Sequence, residues 1–175
     1  MQIGSGVDHF MKHKAFIGIG SNLGTPAGNC EKAIDLLNAA LEIEVVHRSS
    51  LYESEPVGEI KQNWFVNTAV AIKTSLAPDE LLNTVLKIEK NMGRERREKW
   101  GPRIIDLDLL AYESSVINSV TLTLPHPEML KRRFVLLPLC EFAGDYMHPV
   151  ENKSIHALLK MLPENPQVRK ISSTL

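Results

Sequence analysis

Two aspartates one residue apart are the feature of this sequence that points most directly to chemistry. Asp106 and Asp108 lie in the segment IIDLDLLAYE, in which they alternate with apolar residues. Successive side chains of a β-strand point to opposite faces, so the two carboxylates should share one face, with Cα atoms about 6.6 Å apart. Carboxylate oxygens bind hard cations, and Mg²⁺ with a phosphate substrate is the expected occupant of such a pair. The alternative interpretation is two solvated aspartates on an edge strand.

A basic stretch immediately precedes this strand. Its cationic residues fall within ten positions and are Arg94, Arg96, Arg97, Lys99 and Arg103. Guanidinium groups match phosphate oxygens in bidentate pairs. Trp100 within the stretch is able to stack on a purine while the neighbouring arginines bind phosphates. A solvated surface loop is the alternative, although it explains less well why Trp100, Gly101 and Pro102 interrupt the charges.

Other candidate motifs give weaker signals. The segment GIGSNLG (18–24) lacks the Lys-Ser/Thr ending of a P-loop and the glycine spacing of a dinucleotide-binding fingerprint, so we interpret it as a turn only. His126 lies between two prolines in a rigid turn, where it is either a surface histidine or a contact to a triphosphate. The six histidines show no spacing typical of a zinc site, so any metal should be bound through oxygen.

The periodicity of apolar residues predicts the elements that position these groups. Strands are expected at 15–20, 43–52, 64–74 and 104–113, and helices are expected after Thr25, as the N-terminal cap, and from 78 to 92. The apolar stripe of the first helix consists of Cys30, Ala33, Ile34, Leu37 and Leu41. In the strand 64–74, alternate residues should face the core, and Phe65, Asn67 and Ala69 should face the other side.

The order strand, helix, strand, strand, helix, strand predicts an α+β fold, the ferredoxin-like split βαβ sandwich. Its antiparallel sheet carries both helices on one face and leaves the other face for ligands. The remaining sequence predicts an extra C-terminal hairpin and helices, the last from Ser154 to Met161. The 175 residues fit one domain, which we place at 14–175, after a loose N-terminal extension at 1–13.

Composition argues against several classes of function. With 20 Lys+Arg against 21 Asp+Glu, no overall field attracts nucleic acid or an anionic membrane. No apolar run approaches the ~20 residues that span a bilayer. Cys30 and Cys140 lie far apart and lack the spacing of a redox or metal motif, which is typical of reduced thiols in a cytoplasmic protein. We therefore expect a cytoplasmic protein with no nucleic-acid or membrane partner.

Several motifs together resemble one enzyme family. In chain order the sequence contains GSNLG, SEPVG, WFVN, IEKNMGRERREKWGPRIIDLDLL and LPHPEMLKRRFVLLPL. Over residues 15–160 it resembles the 6-hydroxymethyl-7,8-dihydropterin pyrophosphokinases, and the basic loop, WGPR and DxD in tandem are the most specific part. The resemblance implies transfer of pyrophosphate from ATP to 6-hydroxymethyl-7,8-dihydropterin in folate biosynthesis, and we expect the enzyme to be a monomer.

The same resemblance implies roles for individual residues. Asp106 and Asp108 would bind two Mg²⁺ ions that bridge the phosphates of ATP. Arg94 and Arg103 would assist the transfer. The remaining nucleotide contacts would be Glu89, Arg96, Trp100, His126 and Arg132. The pterin would lie between two aromatic rings, with an asparagine reading its edge and the 54–57 backbone lining the pocket; the residues concerned are Ser54, Val57, Phe65, Asn67 and Phe134.

Two other functions remain open from the sequence. A non-catalytic nucleotide-binding module on the same fold would not need the complete set of two aspartates and clustered arginines. An RNA-binding ferredoxin-like domain would carry an aromatic-rich motif on a central strand and a net positive charge, and this sequence has neither.

Overall fold

An antiparallel sheet organises the residues that the computed structural model describes, which are 13–58, 61–94 and 101–171. The strands in chain order are β1 (His13–Ser21), β2 (Ile43–Arg48), β3 (Tyr52–Ser54), β4 (Phe65–Thr74), β5 (Asp106–Tyr112), β6 (Ile117–Asn118), β7 (Thr123–Leu124) and β8 (Val168–Lys170). The helices are α1 (Pro26–Ala39), α2 (Pro78–Asn91), α3 (Arg133–Ala143) and α4 (Ile155–Lys160), and a short 3-10 turn covers Met129–Lys131. β6 and β7 form a separate hairpin, and the other six strands form the sheet.

The connections within the sheet confirm the predicted ferredoxin-like fold. β1 and β4 pair in the middle, β5 pairs with the other edge of β1, and β2 and β3 pair with successive parts of β4. This is the strand arrangement of a split βαβ unit, in which both connecting helices lie on one face. His13, which the sequence assigned to the extension, is the first residue of β1.

The first hydrophobic core lies between the sheet and the helices α1 and α2. The predicted alternation holds up to Leu109: the buried residues that face this core are Val66, Val70 and Ile72 of β4 and Leu107 and Leu109 of β5, and Tyr112 joins them beyond a register shift. The helices contribute the buried side chains Cys30, Ala33, Ile34, Leu37, Leu81, Val85 and Ile88. This core leaves Asp106 and Asp108 on the opposite face of the sheet.

A second core covers one end of that opposite face. There α3 and α4 pack on the sheet through a cluster that includes Phe16, Ala69, Ala71, Leu110, Leu136, Leu139 and Ile155. The pairing of β1 with β5 shifts by one residue between Phe16 and Ile17, so that the successive residues Leu110 and Ala111 both face the second core and Tyr112 returns to the first. The C-terminal helices therefore confine the expected ligand face to the other end of the sheet.

The structure corrects local expectations. Leu41 is 88% exposed instead of joining the apolar stripe, because α1 already ends at Ala39. Thr25 stands at the N-cap position but makes no side-chain capping hydrogen bond. The strand expected at 43–52 is divided into β2 and β3, since at Ser49 a side-chain hydroxyl, and not a backbone carbonyl, accepts a hydrogen bond (3.0 Å) from the N–H of Ala69. β8 was not predicted from the sequence.

Two glycines at helix ends should respond to alanine in opposite directions. Gly93 follows α2 with φ +88°, a left-handed conformation that should make Gly93→Ala destabilising by about 1 kcal/mol. Gly28 lies in the first turn of α1, where alanine should stabilise by up to about 1 kcal/mol. Its nearest neighbour, Thr25 Oγ1 at 3.2 Å, belongs to a side chain that can rotate. Urea denaturation of both variants measures the changes, and changes of equal sign would contradict this assignment.

Candidate active site

A cavity of about 350 Å³ opens at the end of the sheet that the second core leaves uncovered. It is lined by residues from β1, β3, β4 and β5 and by the start of α3. Of the residues predicted from the sequence, those lining it are Ser54, Val57, Phe65, Asn67, Arg103, Asp106, Asp108, Arg132 and Phe134. The fold thus brings the expected pterin-binding and phosphate-binding residues to one site.

Two arginines neutralise Asp106. Arg94 Nη1 lies 2.7 Å from Asp106 Oδ1, and Arg103 Nη1 lies 2.6 Å from Oδ2. Arg94 follows the end of α2 and also forms an ion pair with the buried Glu89. Because each oxygen of Asp106 faces a separate guanidinium group, this carboxylate is fully compensated in the protein without ligands.

The basic partners of Asp108 lie farther from it. His126 Nε2 lies 3.8 Å from its Oδ1, and Arg132 Nη1 lies 3.5 Å from its Oδ2. Burial and the repulsion by Asp106 raise the pKa of Asp108, and His126, Arg132 and Arg94 offset only part of this rise. The anionic form of Asp108 is therefore disfavoured in the ligand-free protein, and a cation bound beside it would stabilise that form.

The backbone fixes the orientation of His126. The backbone N–H of His126 donates to the carbonyl of Leu110 (2.8 Å), and its ring Nδ1 accepts a hydrogen bond from the backbone N–H of Glu128 (3.2 Å). An accepting Nδ1 leaves Nε2 to carry the proton, and Nε2 is the atom that faces Asp108. The rigid turn predicted around His126 thus presents an N–H donor beside the carboxylates.

Glu89 supports the site from behind β5. Its side chain is 3% exposed and, besides Arg94, accepts a hydrogen bond (2.6 Å) from the N–H of Leu107, which lies between the two aspartates. Burial raises the pKa of Glu89 to about 7, and the hydrogen bonds from Leu107 and Arg94 counteract only part of this effect. Glu89 thus ties the end of α2 to the strand that carries the aspartates, and its contact with a nucleotide stays a prediction.

Asn67 lies on the floor of the cavity in a fixed orientation. Its Nδ2 donates a hydrogen bond to Ser54 Oγ (2.7 Å), which holds the amide against β3. Gly20 of β1 passes so close that a Cβ atom there would lie 3.0 Å from Asn67 Oδ1. A glycine at this position therefore leaves room for the amide oxygen.

Sequence reasoning missed the role of the turn after β1. Asn22 is 1% exposed, and its Nδ2 donates to Gln62 Oε1 (2.9 Å) and to the carbonyl of Asn63 (3.2 Å). Its Oδ1 accepts a hydrogen bond from the N–H of Arg103 (2.8 Å). Asn22 thus joins the loop before β4 to the segment before β5. Asparagine is also a common turn residue, so its type gave no signal of this role.

Some predicted site residues lie outside the described part of the chain, and some lining residues were not predicted. Arg96 and Trp100 lie outside the described residues, so their expected contacts with the nucleotide stay predictions. Polar and charged lining residues that sequence reasoning did not select are Gln62, Glu128, Lys131 and Arg133. Their positions follow from loops and from the start of α3, for which periodicity gives no side-chain direction.

Comparison with known proteins identifies the family. The chain matches the family model of 7,8-dihydro-6-hydroxymethylpterin-pyrophosphokinase over residues 16–144. It belongs to this family. The 2-amino-4-hydroxy-6-hydroxymethyldihydropteridine pyrophosphokinase of Methylorubrum extorquens is 46% identical over 132 residues, which cover 75% of this chain and 84% of that protein. The protein of the same name from Aquifex aeolicus is 43% identical over 150 residues, with 86% and 91% covered.

Family membership makes the chain a diphosphate-transferring enzyme of folate biosynthesis with ATP as co-substrate. A Plasmodium falciparum HPPK-DHPS crystal structure superposes with a TM-score of 0.71 at 18% identity, covering 88% of this chain and 45% of that one. The chain therefore spans less than half of that longer protein, and the likeness supports the fold alone. Within the described part of this pyrophosphokinase, no helix is long and apolar enough to cross a membrane.

The buried Glu89 should make the stability of the pyrophosphokinase depend on pH when metal and nucleotide are absent. Because burial raises its pKa from 4.5 to about 7, its stabilising contribution is complete below pH 4.5 and is lost as the pH rises through about 7. Glu89→Gln keeps an acceptor oxygen but does not titrate. Its melting temperature relative to wild type should therefore increase from about pH 5 to about pH 8.

Glu141→Gln is the matched control for this measurement. Burial acts to raise the pKa of Glu141, but hydrogen bonds from Tyr52 and Ser50 outweigh it and lower the pKa to about 2. Its stabilising contribution is lost only as the pH falls from 4.5 toward 2. The difference between Glu141→Gln and wild type should be constant over the tested range, and an equally constant difference for Glu89→Gln would contradict the raised pKa of Glu89.

Proposed function

We propose that this cavity is the active site and that Asp106 and Asp108 form the centre at which pyrophosphate passes from ATP to 6-hydroxymethyl-7,8-dihydropterin. The observation that carries the assignment is the carboxylate pair on one face of β5, surrounded by arginine side chains. The pterin hydroxymethyl oxygen attacks the β-phosphorus of ATP, the bond from that phosphorus to the α–β bridging oxygen breaks, and AMP leaves. The hydroxyl proton is lost in the same process, and no protein nucleophile is required.

The donor set fits two Mg²⁺ ions held between protein and substrate. Mg²⁺ commonly takes one or two carboxylates and completes its coordination with substrate phosphates and water. Among the described residues there is no cluster of three or more His, Cys, Asp or Glu side chains that would form a complete protein site, so phosphate oxygens would supply the rest. When bound, the metal ions neutralise and orient the oxygens of the triphosphate.

The arginines are proposed to change partners when ATP binds. Without ligands, Arg94 and Arg103 both face Asp106. In the complex with ATP, bound Mg²⁺ would compensate the charge of Asp106. The guanidinium groups of both arginines can then donate to phosphate oxygens, on which negative charge develops during transfer. Arg132 and His126 face the Asp108 side and supply further N–H donors to the nucleotide, and Arg96 and Trp100 are proposed to close over it.

The sheet register suggests how the pterin reaches the phosphates. Asn67 and Asp106 both pair with Gly20, on opposite sides of β1, so their Cα atoms lie about 10 Å apart. A bicyclic ring held at Asn67 can extend its hydroxymethyl group across that distance toward the carboxylates. Phe65 and Phe134 offer ring faces for stacking, and the Ser54–Val57 backbone lines the outer side.

The proposal also covers the domain extent, the cellular compartment and the oligomeric state. We expect residues 14–175 to act as one catalytic domain, in the cytoplasm and as a monomer. A non-catalytic nucleotide-binding module is not favoured, since binding alone would not need the carboxylate pair together with its arginines.

Replacement of Asp108 should abolish most of the activity without unfolding the enzyme. Asp108→Ala removes a proposed metal ligand, so the rate of AMP formation with saturating Mg²⁺, ATP and pterin should fall by about a thousandfold or more, or several kcal/mol at about 1.4 kcal/mol per tenfold. Its ligand-free melting temperature should hold or rise, because like-charge repulsion is relieved. Asp106→Ala should lose as much activity but also some stability, since it leaves Arg94 and Arg103 without this carboxylate.

The exposed Asp145→Ala is the control for the general effect of removing a carboxylate. Asp145 lies outside the cavity and is fully exposed, so this variant should retain the wild-type rate. A rate of AMP formation by Asp108→Ala within tenfold of the wild-type rate would contradict the assignment of Asp108 as a metal ligand. ADP in place of AMP as the nucleotide product would overturn the assignment of pyrophosphate as the transferred group.

A second pair of variants tests the pterin side of the site. Gly20→Ala should push against Asn67 Oδ1, 3.0 Å from the new Cβ, and raise the KM for pterin by about tenfold, equivalent to about 1.4 kcal/mol. Gly18→Ala is the matched control on the same strand face, because its nearest neighbours are Leu110 side-chain atoms at 3.5 Å, an ordinary contact. Equal pterin KM values for the two variants would contradict the proposed role of Asn67.

A further inference from the structure

The segment just before the C-terminal strand β8 lines the cavity, although it lies beyond the residues that the family model matches. That match ends at residue 144, whereas Pro166, just before β8, lines the cavity together with Glu55 and Val57. The outer wall of the proposed pterin pocket therefore includes a residue of the C-terminal segment, Pro166. The contacts of β8 indicate what this segment contributes.

β8 supports β3, the strand that carries Ser54. The two strands pair antiparallel, with Ser54 opposite Val168 and Tyr52 opposite Lys170. The pairing continues at both ends: the N–H of Glu55 donates to the carbonyl of Gln167 (3.0 Å), and the N–H of Ile171 donates to the carbonyl of Leu51 (2.9 Å). Because β3 is only three residues long, β4 and β8 together determine its position.

Side chains of β8 contact residues on both faces of the sheet near β3. On the α1 and α2 side, Arg169 Nε donates to Glu53 Oε2 (2.9 Å), and its guanidinium group lies 4.7 Å from the ring centre of Trp64, the residue before Phe65. On the other side, Lys170 Nζ lies 3.0 Å from Glu141 Oε1 of α3. Three contacts thus connect β8 to the elements that flank the pterin pocket.

Glu141 connects Lys170 of β8 to β3 and the residues before it. The same carboxylate accepts hydrogen bonds from Tyr52 Oη (2.6 Å) and from the N–H of Ser50 (2.8 Å). Ser54 in turn accepts the hydrogen bond from Asn67 Nδ2 that fixes the amide. A continuous set of contacts therefore runs from β8 through β3 to Asn67.

We infer that β8 is a positioning element of this pyrophosphokinase: by holding β3, Ser54 and the 54–57 backbone in place, it sets the affinity for the pterin and leaves the affinity for the nucleotide unchanged. The inference rests on the proposed function, which assigns Asn67 and the 54–57 backbone to the pterin. No contact of β8 named above involves the carboxylate pair or its arginines. Loosening β8 should therefore affect one substrate only.

The first test keeps the full chain and removes the side-chain contacts of Arg169 and Lys170. In Arg169→Ala/Lys170→Ala, the Kd for 6-hydroxymethylpterin, measured by calorimetry with Mg²⁺ and a non-hydrolysable ATP analogue present, should rise by about threefold to tenfold. The Kd of the Mg²⁺–nucleotide analogue alone should stay within about twofold of wild type. The conservative variant Arg169→Lys/Lys170→Arg keeps both charges and should recover most of the pterin affinity.

Arg48→Ala is the matched control. Arg48 forms a comparable, partly exposed ion pair with Glu31, from β2 to α1. Its loss should leave both affinities at wild-type values. If Arg48→Ala weakened pterin binding as much as the double variant, the effect would be general destabilisation and the inference would be wrong.

The second test removes the strand itself. A chain ending at Leu162 retains α4 and should lose pterin affinity by tenfold or more at an unchanged nucleotide affinity. If that chain does not fold, the full-length double variant decides. Parallel loss of both affinities in the double variant, or no loss of pterin affinity in it, would overturn the role of β8.

Asn67→Ala, measured in the same way, separates this inference from the proposed function. If Asn67→Ala weakens pterin binding but the β8 variants do not, only the role of β8 is wrong. If Asn67→Ala binds the pterin as wild type does, the pterin site itself has been misassigned, and the inference about β8 falls with it.

Discussion

The placing of two carboxylates on one strand face is the constraint on which the rest of this structure depends. Burial of the Asp108 carboxylate, and next its repulsion by Asp106, raise the pKa of Asp108. Three segments each supply a compensating cation: Arg94 after α2, Arg103 before β5 and Arg132 before α3. Such an arrangement costs stability in the ligand-free enzyme, and under the proposed function the binding of metal ions and phosphates relieves the repulsion.

The two hydrophobic cores determine where this constraint can be met. One face of the sheet is closed by α1 and α2, and one end of the other face is closed by α3 and α4. The remaining end is crossed by β1 at Gly18 and Gly20, whose missing side chains leave the sheet surface open. Asn67 and Asp106 flank Gly20 in the same row of the sheet, so the proposed pterin and phosphate sites face each other with no side chain between them.

Alternation along the strands is what made much of the site predictable from the sequence. Period two correctly put Phe65, Asn67 and the aspartates on the face away from the first core, because the apolar partners on the other face are unambiguous. The roles of Asn22 and β8 could not be predicted, since both depend on hydrogen bonds between segments far apart in the chain. The roles of individual residues toward ATP and pterin came from a family resemblance and remain predictions.

The central claim is that Asp106 and Asp108 together hold two metal ions against the triphosphate. Electron paramagnetic resonance of the enzyme with Mn²⁺ in place of Mg²⁺ and a non-hydrolysable ATP analogue tests this most directly, because two neighbouring Mn²⁺ ions give a coupled spectrum. We expect the coupled spectrum in the wild-type enzyme and its loss in Asp108→Asn. A wild-type spectrum of isolated Mn²⁺ only, or a coupled spectrum that persists in Asp108→Asn, would contradict the account.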